Sequence, residues 1–266
     1  MYKTSQNDRL ELVMKLARNV DIFSTHLPES QNLEGDGWSA GVCGVTFEIF
    51  NSALITKNRK EAVDEVINLF ESKKVSGTIK LFGAGQSVAN HLLEKGWVPR
   101  SASPLMMWRA DDSLDNFSLR AGLEVERFPS TEESRKILWD LFVIVYGNAP
   151  DEMRDAFLKI FVAHPDDYTY AMKKDGEIVS IVTAIHQGDY VGIWSMATPP
   201  LHQKNGYGGE LLKFVMKAHK DLGGKDFALV ATDAGKVLYD KLGWETIEHY
   251  TSYGIRRDAE QENPYA

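Results

Sequence analysis

The sequence predicts a mixed α/β protein with a largely antiparallel sheet and flanking helices, and three observations carry this prediction. Short apolar runs alternate with segments whose apolar residues recur at helical spacing. Two of the turns between apolar runs, Asp175-Gly176 and Gly188-Asp189, have the chemistry that tight antiparallel hairpins need. One apolar run leads through a loop with three glycines directly into an amphipathic helix.

The first half of the chain alternates between the two kinds of element. The predicted order is a helix at 8–20, strands at 41–50 and 51–56, a helix with Val63, Val66, Ile67 and Phe70 on one face, a strand at 78–82, a small-residue turn and helix from 83 onward, and a strand at 104–109. The polar stretch that follows contains three aspartates and neither Gly nor Pro. We interpret it as a linker.

The second half adds the elements that surround the glycine loop. The predicted order is a strand at 122–128, helices at 132–146 and 152–163, strands at 168–174, 178–186 and 190–197, the loop and its helix, a strand at 227–231, a short helix and a last strand. The loop helix carries Leu211, Leu212 and Val215 on one face, so we expect that face to pack on the sheet.

The loop has the character of an anion-binding site. Its residues are Gln203, Lys204, Asn205, Gly206, Tyr207, Gly208 and Gly209. Glycines let the backbone approach a ligand closely, and the first N–H groups of the next helix have no acceptor within it. Phosphate is the natural occupant. The Walker A pattern is absent, and Leu211 stands where a Rossmann loop has its third glycine.

Two motifs resemble those of the GNAT superfamily of N-acetyltransferases. The pattern Gln203-x-x-Gly206-x-Gly208 resembles the family's acyl-CoA pyrophosphate loop. About 25 residues further on, residues 232–244 resemble the family's Asn-x-x-Ala-x-x-Leu-Tyr-x-x-x-Gly-Phe segment, with Thr232 in place of Asn and Gly235 in place of Ala. The resemblance covers roughly residues 119–257 and implies a GNAT-like fold.

The resemblance also implies a set of site residues. Backbone groups of Met196, Ala197 and Thr198, at the end of a splayed strand, would contact the pantetheine arm of acetyl-CoA, and the loop N–H groups would hold its pyrophosphate. Thr232 would offer the cofactor a hydroxyl in place of an amide. Tyr239 matches the family's general acid, and a phenol with a pKa of about 10 is suited to protonate a thiolate.

The general base stays open at the level of sequence. The strand at 190–197 contains neither Asp nor Glu, so the carboxylate that some family members use there is missing. His186 is the candidate base, because an imidazole with a pKa of about 6.5 can act directly or through water. Asp189 flanks the same turn as His186, and Glu245 begins the last strand. The alternative is deprotonation through water, or reaction of the fraction of the amine that is already unprotonated.

The two halves resemble each other. Residues 81–98 and 230–245 both read as strand, small-residue turn, helix and Gly-Trp, although this order is also common in α/β proteins. The first half has no glycine loop, so we expect residues 1–110 to form a degenerate acetyltransferase-like domain. A linker at 111–118 and a catalytic acetyl-CoA-binding domain at 119–266 would follow, giving the fold in tandem.

Composition limits the remaining possibilities. The net charge of −8 argues against a nucleic-acid partner. The single Cys43 permits no intrachain disulfide, and together with the lack of a signal peptide or a long apolar run it predicts a cytoplasmic protein away from membranes. The histidines show no metal-ligand spacing, so no metal is expected. We expect a monomer or a homodimer.

The predicted activity is transfer of an acetyl group from acetyl-CoA to a primary amine by direct attack. The alternative is an acyl-CoA-binding sensor or regulatory module without catalysis. The acceptor stays open between small amines, amino acids, antibiotics and protein amines. Five aromatic residues are candidates to line its site, with core packing as the alternative for each: Trp38, Phe47, Phe50, Tyr146 and Trp194.

Overall fold

The computed structural model describes residues 30–44, 48–128, 131–146, 154–155 and 167–255. The helix predicted at 8–20 and nearly all of the helix predicted at 152–163 lie outside these residues. Among the described residues, no helix combines the length and the apolar character needed to cross a membrane.

The described part of the chain contains eleven strands and five α-helices, numbered here in chain order. The strands are β1 Gln31–Gly35, β2 Trp38–Val42, β3 Ser52–Ile55, β4 Thr78–Leu81, β5 Trp97–Arg109, β6 Leu123–Arg127, β7 Asp167–Lys174, β8 Glu177–Gln187, β9 Tyr190–Ala197, β10 Asp226–Val230 and β11 Glu245–Ile255. The helices are α1 Lys60–Lys73, α2 Ala89–Glu94, α3 Glu132–Tyr146, α4 Tyr207–Asp221 and α5 Asp233–Lys241.

All eleven strands belong to one sheet, in the order β1-β2-β3-β4-β11-β5-β10-β9-β8-β7-β6. Only β3–β4 and β9–β10 are parallel among the described pairs, and the others are antiparallel. The prediction of a mixed α/β fold with a largely antiparallel sheet is therefore confirmed. Each half also contains the same succession of strand, helix, parallel strand, helix and long strand, namely β3 to β5 and β9 to β11.

The long last strand of each half pairs with the other half. Strand β5 of the first half pairs with β10 of the second, and β11 of the second half pairs with β4 of the first. The two long strands also pair with each other along most of their length. This exchange of strands makes the sheet continuous across the middle of the protein, so each half completes the edge of the other.

Helices cover both faces of the sheet where the second half lies. Helices α4 and α5 contribute Leu211, Val215 and Tyr239 to a buried cluster on one face. Helix α3 contributes Leu138 and Trp139 to a cluster on the other face. In the first half, α1 buries the apolar face that its periodicity predicted. These layers hold the ends of β9, α4 and α5 in fixed positions relative to one another.

The predicted linker at 111–118 is docked on the second half. Leu114, in a short 3₁₀ turn at Asp112–Leu114, is buried in the same cluster as α4 and α5. The ammonium group of Lys220 on α4 donates to the backbone carbonyl of Asp111 at 2.6 Å and forms ion pairs with Asp112 and Asp115. The segment therefore packs along α4.

Candidate functional site

A cleft opens between the parallel strands β9 and β10. The two strands pair only at their beginnings, where Tyr190, Val191 and Gly192 face Asp226, Phe227 and Ala228. Beyond this point β10 continues beside β5, whereas β9 continues beside β8 as far as Ala197. The edge of β9 that faces β10 is thus open over its last five residues, from Ile193 to Ala197. Backbone groups on such an edge are available to an extended ligand.

A bulge in β9 shapes the open end. The register between β8 and β9 shifts between Ile181 and Thr183, and Ser195 has a positive φ of 46°. Positive φ is rare for a residue other than glycine. Buried Ser180 on β8 fixes the strand beyond the bulge, because its hydroxyl donates to the carbonyl of Ala197 at 3.1 Å. Neither Ser180 nor the bulge was predicted from the sequence.

The glycine loop follows directly and is held by its own side chains. The amide of Gln203 donates from Nε2 to the carbonyl of Thr198 at 3.0 Å. The amide of Asn205 donates from Nδ2 to the carbonyls of His202 at 3.2 Å and Gln203 at 3.1 Å. Residues 203–206 are exposed, and Lys204 and Gly206 both have positive φ. The loop is therefore ordered by internal bonds while its backbone stays open to solvent.

Helix α4 begins at Tyr207, and Gly206 is its N-cap. Gly206 has no side chain that could cap the helix, so the first-turn N–H groups are left for a ligand. Gly208 lies close to the end of β9, because an added Cβ would stand 3.0 Å from Cε of Met196 and 3.3 Å from Oγ1 of Thr198. The glycine thus lets the positive end of the helix dipole reach the mouth of the cleft.

One cation that the sequence analysis missed supports this loop. The guanidinium of Arg120 donates to the carbonyl of Asn205 at 3.2 Å and lies 5.4 Å from the centre of the Tyr207 ring. Its backbone N–H also contacts Glu210 on α4. Arg120 is distant in sequence and carries no motif, so only the fold brings it to the loop.

Tyr239 on α5 points into the same cleft. Its hydroxyl donates to the thioether Sδ of Met196 at 3.6 Å, so the phenol lies against the open end of β9. Gly235 makes room for the ring, since an added Cβ would stand 3.0 Å from Cε2 of Tyr239. The Thr232 hydroxyl caps α5 by accepting from the N–H of Gly235 at 3.1 Å. Thr232, which stands where the family usually has Asn, therefore uses its hydroxyl to cap helix α5.

The structure places His186 at the other end of β9. His186 faces Val191, five residues before Met196, which is about 16 Å along a strand. Its Nε2 lies 2.8 Å from the carbonyl of Gly188, and its Nδ1 lies 2.9 Å from Nδ1 of buried His219. Both ring nitrogens are engaged within the protein and far from the mouth of the cleft. His186 is therefore not positioned as the base that the sequence suggested.

Residues 132–244 match the model of the acetyltransferase (GNAT) family, a span that contains the cleft, the glycine loop and Tyr239. These residues form a GNAT domain. A search of curated protein sequences found no match.

Solved structures share the fold over nearly the whole chain. A GCN5-related N-acetyltransferase from Kribbella flavida is 15% identical, with a TM-score of 0.70 over 93% of this chain and 95% of that one. A second from Sphaerobacter thermophilus is 14% identical, with a TM-score of 0.62 over 83% and 78%. A tandem GNAT protein from the clavulanic acid biosynthesis pathway is 14% identical, with a TM-score of 0.55 over 90% and 89%. The expected GNAT-like fold is confirmed, and a tandem GNAT protein is among the structures that share it.

The face of the GNAT domain opposite α4 and α5 has an aromatic wall. Phe50 from the first half is buried in the same cluster as Trp139 on α3 and Ala197 at the end of β9, and half-buried Trp194 packs against this cluster. Of the five aromatic residues considered from sequence, Phe50 and Trp194 meet here. The indole of Trp38 instead donates to Glu65 in the first half. Phe47 and the side chain of Tyr146 lie outside the described residues.

The corresponding place in the first half is closed. Strands β3 and β4 pair along their whole length, from Ser52 with Thr78 to Ile55 with Leu81. Just beyond, the N–H of Phe82 donates to the carbonyl of Ile55 at 3.0 Å. A Cβ added at Gly85 would stand only 2.1 Å from that carbonyl oxygen, so the 3₁₀ turn at Gly83–Val88 packs directly on the strand end. No cleft like that of the GNAT domain separates β3 from β4.

Proposed function

We propose that the protein is an acetyl-CoA-dependent N-acetyltransferase that moves an acetyl group to a primary amine. The observation that carries the proposal is the convergence of three features at one place: the open edge of β9, the exposed N–H groups at the start of α4, and the Tyr239 phenol beside Met196. The first two can hold an extended, anionic cofactor, and the third can supply a proton.

The residues present fit acetyl-CoA. Gly208 lets helix α4 approach the end of β9 more closely than a residue with a Cβ would, and residues 203–206 present their backbone to solvent. The N–H groups of residues 203–209 would hold the pyrophosphate, and backbone groups of Met196, Ala197 and Thr198 would orient the pantetheine arm. Bound acetyl-CoA would supply the acetyl group and a thiol as leaving group. Thr232 would approach the cofactor only through a hydroxyl that already caps α5.

Tyr239 is proposed as the general acid. Its hydroxyl donates to a sulfur atom in this structure, which is the class of acceptor that a departing thiolate presents. The phenol proton at Oη would be given to the departing thiolate as the new amide forms, and water would take the proton that the attacking amine loses. Burial of the ring against Gly235 and Trp244 fixes the position of the hydroxyl oxygen beside Met196.

The first half is proposed as a degenerate acetyltransferase-like domain, residues 1–110, joined through 111–118 to a catalytic domain at 119–266. Its closed strand pair β3–β4 and the lack of a glycine loop support one cofactor site per chain. Phe50 supports a role for this half in building the wall of the acceptor side.

Replacement of Tyr239 by Phe tests the chemistry. We expect kcat to fall by about 100-fold or more, the usual contribution of a general acid, because the ring stays and only the proton donor is lost. The affinity for acetyl-CoA should stay within about twofold. The assay is thiol release on a panel of amines, with titration calorimetry for acetyl-CoA. Tyr253→Phe is the matched control, because Tyr253 is a buried tyrosine in the cluster of the first half.

Two results would change the proposal. An unaffected turnover in Tyr239→Phe would remove Tyr239 as the acid. Binding of acetyl-CoA without turnover of any amine would favour the sensor or regulatory module instead.

A further inference from the structure

A second cavity lies away from the cofactor cleft. It has a volume of about 550 Å³ and is lined by the docked segment that begins at Asp111, by α4 and by the end of α5. Trp108 in its wall pairs with Phe227 at the beginning of β10, whereas the cleft opens beyond Ala228. Met216, another lining residue, is ten residues after Gly206, which is about 15 Å along a helix. The cavity therefore lies beside the middle of α4 and the end of α5, and its lining includes no residue of the glycine loop.

The lining combines an apolar body with cationic groups. Its apolar residues are Trp108, Leu114, Phe117, Met216 and Leu242. Its cations are Lys213 on α4 and Lys241 on α5. Neither ammonium group has an ion pair or hydrogen bond with any residue in the described part of the chain, whereas the other lysine of this region, Lys220, is held by Asp112 and Asp115. A volume of this size is typical of small-molecule sites.

The acidic group in the lining is already engaged. The carboxylate of Asp111 accepts from the backbone N–H of Ser113 at 2.9 Å, and hydrogen bonds from the Ser113 side chain and then from its backbone lower the pKa of Asp111. The lining thus contains two lysine ammonium groups and one carboxylate, and that carboxylate caps the 3₁₀ turn at Asp112–Leu114. The remaining polar group, the Asn116 amide, can donate hydrogen bonds to a ligand. The charge balance and the donors favour an anionic ligand.

We propose that this cavity binds a small organic anion, a carboxylate or phosphate ester on an aromatic or aliphatic body, at a site separate from the cofactor cleft. The apolar residues receive the body, and Lys213 and Lys241 receive the anionic group. The site is mechanically linked to the catalytic helix, because the N–H groups of Leu242 and Trp244 both donate to the carbonyl of Tyr239 at 3.0 Å. An occupant against Leu242 contacts the end of the helix that carries the proposed acid.

Ligand-observed NMR and titration calorimetry on the full chain test the proposal, and neither needs acetyl transfer. The probes are naphthalene-2-carboxylate, its uncharged match naphthalene-2-carboxamide, and phenyl phosphate. We expect at least one anion to bind about tenfold more tightly than the carboxamide, since charged hydrogen bonds are the stronger ones. Lys213→Gln and Lys241→Gln should each weaken the anion about threefold or more.

The control is Lys217→Gln, because Lys217 is on the same helix but pairs with Asp221 and is not in the cavity lining. It should leave the affinity unchanged, and saturating acetyl-CoA should not displace the anion. Equal binding of the carboxamide, equal effects of Lys213→Gln and Lys217→Gln, or no binding of either anion at millimolar concentration would overturn the proposal. Competition by acetyl-CoA would place the anion in the cofactor's own site and would overturn it as well. Failure here leaves the acetyltransferase proposal intact, because that proposal is tested by turnover.

Discussion

Acidification should destabilise the fold through one buried histidine. His219 on α4 is fully buried, with Nε2 3.2 Å from the hydroxyl of Tyr170 and Nδ1 2.9 Å from Nδ1 of His186. Because Nε2 of His186 faces the carbonyl of Gly188, a consistent chain has Tyr170 donating to His219, His219 to His186, and His186 to Gly188. This chain requires both imidazoles to be neutral.

The magnitude follows from the pKa of His219. Burial, and then the neighbouring His186 and Arg127, lower it from 6.5 to about 4. In the unfolded chain His219 therefore becomes protonated near pH 6.5, whereas in the folded chain it becomes protonated only near pH 4. The contribution of neutral His219 to the free energy of unfolding is fully present above pH 6.5 and is lost as the pH falls from 6.5 to about 4. The shift corresponds to roughly 3 kcal/mol of unfolding free energy at about 1.4 kcal/mol for each pKa unit.

Urea unfolding between pH 8 and pH 4 measures this loss. Replacement of His219 by Phe should lower stability at pH 8, because Tyr170 and His186 lose their partner, but it should remove the fall between pH 6.5 and 4 that belongs to His219. His249→Gln is the control, since His249 is exposed and its variant should keep the wild-type profile. A His219→Phe profile as steep as the wild type would refute the reasoning.

Three further perturbations test the packing around the cleft. Gly208→Ala should weaken acetyl-CoA binding about tenfold, because the added methyl presses on the end of β9. Gly209→Ala is the control and should bind normally, because its added methyl meets only one leucine methyl, at 3.4 Å. Equal affinities of the two variants in calorimetry would contradict this prediction. Gly235→Ala should displace the Tyr239 ring and lower kcat about tenfold without changing the affinity for acetyl-CoA; an unchanged kcat would show that the ring tolerates the methyl. Removal of the first 110 residues should leave a chain without a cooperative thermal unfolding transition, because β10 and β11 lose their partner β5. A sharp unfolding transition would show that the second half folds alone.

The local features of the site were predictable from sequence. The glycine loop, the helix that follows it and Tyr239 all depend on residues that are close in the chain, so periodicity and motif spacing located them. The hairpin of β1 and β2 was missed even though Asp36-Gly37 gives the turn signal, because the strands it joins are short and partly polar.

The non-local features were not predictable in the same way. The exchange of β5 and β11 between halves follows from strand pairing over more than a hundred residues, and no periodicity records a pairing partner. The same reason explains why the distance of His186 from the mouth of the cleft was not predicted. The sequence correctly placed it beside a turn, but which end of the sheet that turn occupies is fixed only by the register of β8 on β9.

Titration calorimetry of acetyl-CoA into the full chain tests the central claim most directly. An open cleft in the GNAT domain and a closed strand pair in the first half predict saturable binding with one site per chain. Two sites per chain would contradict the closure between β3 and β4. An absence of binding at millimolar acetyl-CoA would contradict the assignment of the glycine loop and the open edge of β9 to the cofactor.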